Sequence, residues 1–190
     1  MNANNSKLLN KEIHDRMENM TYCRKVKIVV EESDPSFPVT KVVPIDDDVI
    51  NLIRQFYEDD IEIHQSCFAI FCDSHDYTLG YAKIGQGGEA GFETDPLIIA
   101  KIAVDLMASC VLVVHNHITD DLTITKEEIA LTNRIKRTLN AMDILLLDHV
   151  IITKNKITSF ILQQIELDGK ELIKDQNVKW GIYTMWSKKD

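Results

Sequence analysis

The run Cys110-Val111-Leu112-Val113-Val114 is continuously apolar and too short to be a helix, so it reads as a buried strand. Helical patterns flank it. Asp95-Pro96 opens the first, a capping Asp followed by Pro at the first helical position. Ile98, Ile99, Ile102, Leu106 and Met107 give that helix an apolar face. The second helix runs over about 126–142, with Leu131, Ile135, Leu139 and Met142 on one side. Strands alternating with helices in this order make an α/β chain, with α+β as the alternative.

The rest of the pattern extends this frame. Residues 25–30 and 39–43 read as strands, separated by Asp-Pro-Ser-Phe-Pro, whose prolines block a regular ladder. Asp46 caps a helix carrying Ile50, Ile53 and Tyr57. A strand over 67–73, a turn at Ser74-His75-Asp76 and a strand over 77–84 form a hairpin. Gly85, Gly87 and Gly88 come next as a loop. Residues 144–153 form a strand containing Asp148 and His149, and 157–162 one more. Three parts result: a polar arm at 1–22, a domain at 23–162 whose first part, 23–60, is an extension, and a tail at 163–190 to which composition assigns no element.

The formal net charge of −9 argues against nucleic acid, because non-specific affinity for it comes mainly from phosphate neutralisation. Of the four cysteines, Cys67, Cys72 and Cys110 sit in apolar runs and none belongs to a CxxC pair, which fits a reducing compartment. The N-terminal residues have no apolar stretch behind them, and no run approaches a membrane span. The expected location is the cytoplasm.

The chemistry concentrates at His115-Asn116-His117. Residues i and i+2 of an extended chain point the same way, so two imidazoles at a strand's exit can converge on one metal ion. The bare pattern is weak: six histidines in 190 residues give about 0.2 chance occurrences of His-x-His. A zinc hydrolase centre needs a third protein ligand and an open position. Asp120, Asp121, Glu127 and Glu128 are the acidic candidates. Thr125-Lys126-Glu127-Glu128 also fits a helix capping box, so Glu128 is a cap, a ligand, or both.

The stretch from Phe71 to Thr153 resembles the RadC-like JAB/MPN (JAMM) domain family. The family core, His-Asn-His, a loop, Ser-x-x-Asp and a helix, is similar to His115-Asn116-His117, a loop, Thr125-x-x-Glu128 and a helix. Leu147-Asp148-His149-Val150-Ile151-Ile152 resembles its Leu-Asp-His-Leu-Ile-Ile strand. Leu79-Gly80, Gly87-Gly88, Asp95-Pro96 and Ser159-Phe160 match further family positions. The resemblance implies a three-layer domain with a central mixed sheet flanked by helices. It also implies zinc held by His115, His117 and Glu128, with Thr125 at the position of a Ser that helps bind an oxyanion. A peptide or protein would be substrate or partner, and a homodimer is compatible with this reading.

Three departures bear on activity. Glu128 replaces the family Asp and carries one more methylene. Ile118-Thr119-Asp120 replaces Pro-Ser-Gly, which brings Asp120 toward the site. The family's upstream general-base Glu falls on Gln65, which cannot take a proton from water. Glu62, three residues earlier, would point to the other face of a strand. The resemblance therefore implies a zinc metallohydrolase with a degenerate site, weak or inactive toward amide or isopeptide bonds. The alternative is a non-catalytic protein-binding module on the same fold. A DNA-repair role, which the family name suggests, has no support in the charge. Asp148 and His149, inside a strand, are expected to pack and hydrogen-bond, with holding a ligand from outside the coordination sphere as the alternative for Asp148; His75 is expected in a turn, and His64 is assigned no role.

Overall fold

In a computed structural model of the chain, the described residues are 36–42, 46–57, 61–88 and 91–171. The expected arm at 1–22, the strand at 25–30 and residues 172–190 lie outside them. The elements are α1 (Asp47–Gln55), β1 (Gln65–Cys72), β2 (Thr78–Gly88), β3 (Gly91–Thr94), α2 (Pro96–Asp105), β4 (Cys110–Asn116), α3 (Lys126–Asn140), β5 (Leu145–Ile152), β6 (Ile157–Ser159), β7 (Glu166–Leu167) and β8 (Lys170–Glu171).

The caps expected at Asp46 and Asp95 form. Asp46 Oδ1 accepts from the amides of Asp48 and Val49, each at 3.1 Å, and starts α1. Asp95 Oδ1 accepts from Leu97 N at 3.0 Å, with Pro96 in the first turn of α2.

The main sheet has six strands in the order β3-β2-β1-β4-β5-β6. β4 and β5 pair in parallel, joined through α3; the other pairs are antiparallel, so the sheet is mixed. Strand parity divides the core. Val111 and Val113 face α2 and α3, packing with Ile99, Ala103, Ile135 and Leu139. Leu112 and Val114 face the other way, packing with Val49, Ile53 and Tyr57 at α1. The result is three layers, a mixed sheet flanked by helices, as the resemblance implied.

Four local expectations are corrected. Gly85, Gly87 and Gly88 are not a loop; they lie within β2 and pair with β3. A Cβ on Gly87 would meet Gly91 O at 1.9 Å, so glycine is what lets these two strands approach. In α2 the buried face is Pro96, Ile99, Ala100 and Ala103, whose small alanines seat the helix close to the sheet. Ile98 falls outside that arc, and Met107, in the left-handed region at φ 54, turns outward with 87% exposure. Met142 lies past the end of α3 and is exposed as well. Within the expected strand at 39–43, the described residues form a single bridge, Lys41 to Tyr77. The core also continues past residue 162: Leu167, in the β7–β8 hairpin, is fully buried against it.

Candidate metal centre

β4 delivers the histidines. His115 ends the odd-numbered row that faces α2 and α3, and it is fully buried. His117 comes next on the same side, held by its amide donating to Ile152 O at 2.9 Å. Asn116, between them, points to the opposite face and is also buried. Its Oδ1 accepts from Ser66 N at 2.7 Å, while its Nδ2 donates to Ile61 O at 2.8 Å and His64 O at 2.9 Å. These bonds bracket Gln65 and fix where β1 begins.

α3 delivers the carboxylate. Thr125 is its N-cap, and the capping box is complete. Glu128 N donates to Thr125 Oγ1 at 3.2 Å, and Glu128 Oε2 accepts from Thr125 N at 2.6 Å and Thr125 Oγ1 at 2.8 Å. The other oxygen, Oε1, lies 2.8 Å from His115 Nε2 and 2.7 Å from His117 Nε2. One carboxylate therefore caps the helix and faces both imidazoles at once. The extra methylene of Glu gives it the length to do so.

His115 Nε2 and His117 Nε2 stand 2.9 Å apart, so three ligand atoms form a nearly equilateral triangle. Among the described residues, this is the group of His, Cys, Asp and Glu side chains close enough to share an ion. Zinc with bonds of about 2.0–2.1 Å separates its ligand atoms by roughly 3.3 Å in a tetrahedron. Widening each side by about half an ångström requires only small side-chain rotations. His117 Nδ1 lies 2.7 Å from Asp121 O, an acceptor, so Nδ1 carries the hydrogen and neutral His117 presents a bare Nε2. Two imidazole nitrogens and a carboxylate oxygen are a donor set that zinc takes. The residues fit the ion.

Electrostatics agree. Burial lowers the pKa of His115 below its ordinary value, opposed by Glu128. Burial would also lower that of His117, but Glu128 and the Asp121 carbonyl outweigh it, and the net shift is upward. Burial alone would raise the Glu128 carboxyl, yet the imidazole Nε2–H that faces it, a proton that a bound cation would displace, holds it well below the carboxylate range. Glu128 is thus ionised, as a ligand must be.

Behind His115 lies a residue that the sequence did not single out. His149 Nε2 is 2.8 Å from His115 Nδ1, and His149 Nδ1 is 2.6 Å from Thr132 Oγ1. Asp148, for which that place was the alternative reading, faces elsewhere and hydrogen-bonds, accepting from His149 N at 2.7 Å and Ile161 N at 3.2 Å. A β-bulge is the cause. Val111 pairs with Leu146 and Leu112 with Asp148, so Leu147 is an inserted residue that reverses the facing of the rest of β5. Without it, Asp148 would sit on the face of His115 and His117; with it, His149 does.

An open cleft of about 1030 Å³ lies over the triangle, lined by Gln65, Phe92, His117, Thr125, Glu128 and Arg134 among others. The structure thus brings together all five residues expected at the site. Gln65 lines the cleft. The Thr125 hydroxyl donates to Glu128. Asp120 does not intrude; its carboxylate accepts from Asn155 Nδ2 at 2.6 Å, away from the cleft lining. Glu62 is paired with Lys154 Nζ at 2.6 Å. His75 is a turn residue, as expected.

The family model for the RadC-like JAB domain matches residues 45–166, which include every residue of this centre. The chain belongs to that family. Among its curated relatives is a UPF0758 protein of Flavobacterium johnsoniae, 28% identical over 98 residues, covering 52% of this chain and 43% of the relative. One of Fusobacterium nucleatum is 32% identical over 94 residues, covering 50% and 40%. A third, of Carboxydothermus hydrogenoformans, is 29% identical over 119 residues, covering 63% and 52%. The chain spans about half the length of these relatives or less. The RadC-like JAB domain of this chain thus carries His115, His117 and Glu128 within its matched span, together with Gln65 and Thr125.

Proposed function

We propose that this RadC-like JAB domain is a zinc-binding protein in which His115, His117 and Glu128 hold the ion, and that its cleft receives a peptide segment. The convergence of three ligand atoms beneath an open cleft carries the reading. Zinc, when bound, supplies Lewis-acid polarisation and activation of water. The remaining steps of an amide or isopeptide hydrolysis fall to the protein, and two are weakened. Gln65 can orient a polar group by hydrogen bonding but has no site that takes a proton near neutral pH. Loss of a general base typically costs ~10²–10⁴ in rate. Thr125 can steady an oxyanion only by giving up its hydrogen bond to Glu128 Oε2. Hydrolysis is accordingly slow or absent, and peptide binding is the function that these changes leave intact.

Cobalt substitution tests the centre. Adding Co²⁺ to metal-free protein should produce the visible bands of a four-coordinate site, abolished by His117→Ala. Absence of such bands in the unaltered protein would exclude the centre as drawn.

A further inference from the structure

We propose that His149 is a positioning residue for the metal centre, fixing His115 through its hydrogen bond in the tautomer whose Nε2 carries a lone pair toward Glu128 and His117. The inference rests on the zinc-binding reading of the three ligands.

The direction of each hydrogen bond is set by an end that only accepts. Glu128 O is a backbone carbonyl, and Thr132 Oγ1 lies 2.6 Å from it, so the single hydroxyl proton of Thr132 is committed there. The same oxygen lies 2.6 Å from His149 Nδ1 and can only accept from it, so His149 Nδ1 carries a hydrogen. His149 is fully buried and stacked on Phe160 at 4.9 Å, and among the described residues its ring hydrogen-bonds to His115 and Thr132 and to no carboxylate. A ring with no access to water and no anionic partner is neutral. Its Nε2 is therefore bare, and at 2.8 Å from His115 Nδ1 it accepts a hydrogen from that atom. His115, equally buried, is left with a bare Nε2, and the hydrogen that Glu128 Oε1 accepts before a cation enters is carried by His117 Nε2 at 2.7 Å.

Two features make this more than a chance contact. The relay begins on the backbone of Glu128, so α3 supplies both a ligand carboxylate and the anchor that orients a ligand imidazole. The bulge at Leu147 is what turns His149 onto this face. His117 reaches the same tautomer by a separate route, through Asp121 O in the loop. One ligand is thus set by the core and the other by the surface.

Zinc affinity, measured by competition with a chromogenic chelator, and long-range ¹H–¹⁵N spectra of the metal-free protein test the relay. Thr132→Val keeps the shape and removes the hydroxyl. His149→Leu removes the acceptor, whereas His149→Gln retains an amide oxygen that can take the His115 Nδ1 hydrogen. The unaltered metal-free protein should show His115 protonated on Nδ1. The zinc Kd should rise ~10–100-fold in His149→Leu, rise less in Thr132→Val, and recover in His149→Gln. An unchanged Kd in both Thr132→Val and folded His149→Leu, or His115 protonated on Nε2, would overturn the proposal. If His149→Leu does not fold, Thr132→Val and the spectra decide. If the unaltered protein binds no zinc, the zinc-binding reading fails, while the spectra still report whether the relay sets the tautomer.

Discussion

Glu128 Oε2 accepts from Thr125 N at 2.6 Å while Glu128 Oε1 faces His117 Nε2 at 2.7 Å, so one side chain joins a helix cap to a cluster that could hold a metal ion. Because the two oxygens do different work, they separate under mutation. Thr125→Ala should cost ~1 kcal/mol of stability through loss of the cap, read from urea denaturation, and leave zinc bound. Glu128→Gln keeps the length but loses the charge, so it should weaken zinc binding far more than it weakens the fold.

Gln65→Glu should restore a general base where the cleft needs one. Activity on a peptide or isopeptide substrate in the presence of zinc should rise by ~10²–10⁴. The gain should vanish when His115→Ala is added. A rate unchanged by Gln65→Glu would mean that position 65 does not face the reacting bond.

Much of this site was legible from local pattern. His115 and His117 share a face because strand parity is two, and β4 is a strand because its apolar run is short. The caps at Asp46, Asp95 and Thr125 announced three helix starts. What was not legible depends on pairing between distant segments. Glycines at 85, 87 and 88 read as a loop because their usual use is conformational, whereas here they admit the close approach of β3. Only Asp148 was considered for a place behind His115, and His149 stands there, because no local signal marks the bulge at Leu147. The β4–β5 register that reveals it forms only in the folded sheet.

Asn116 is buried, and its amide makes three hydrogen bonds to the chain around Gln65. Asn116→Leu leaves Ser66 N and the carbonyls of Ile61 and His64 without these partners, at a cost of about 1–3 kcal/mol per unsatisfied buried group. Hydrogen exchange should quicken over 61–66 before it changes in α3. Uniform quickening throughout the domain would show that the clamp is not local.

Burial pushes the Asp148 carboxyl up to about 7, against the Ser159 hydroxyl and the amides of His149, Ile161 and Phe160, which favour its charged form. Between pH ~4, the unfolded value, and pH 7 the folded protein holds a proton that the unfolded chain does not. This group's contribution to stability is therefore full below pH ~4 and is lost as pH rises through about 7. Asp148→Asn removes the titration. Relative to Asp148→Asn, the unaltered protein should lose on the order of 1–4 kcal/mol between pH 5 and pH 8. A difference between the two that stays flat across this range would show the carboxylate ionised throughout.

The most direct measurement is the zinc content of the purified protein beside that of the His115→Ala/His117→Ala double variant. About one zinc per folded chain, absent from the variant, is the expected result. No zinc in the unaltered protein, even after incubation with zinc and removal of the excess, would contradict the metal centre and leave the three side chains as a hydrogen-bonded cluster of the fold.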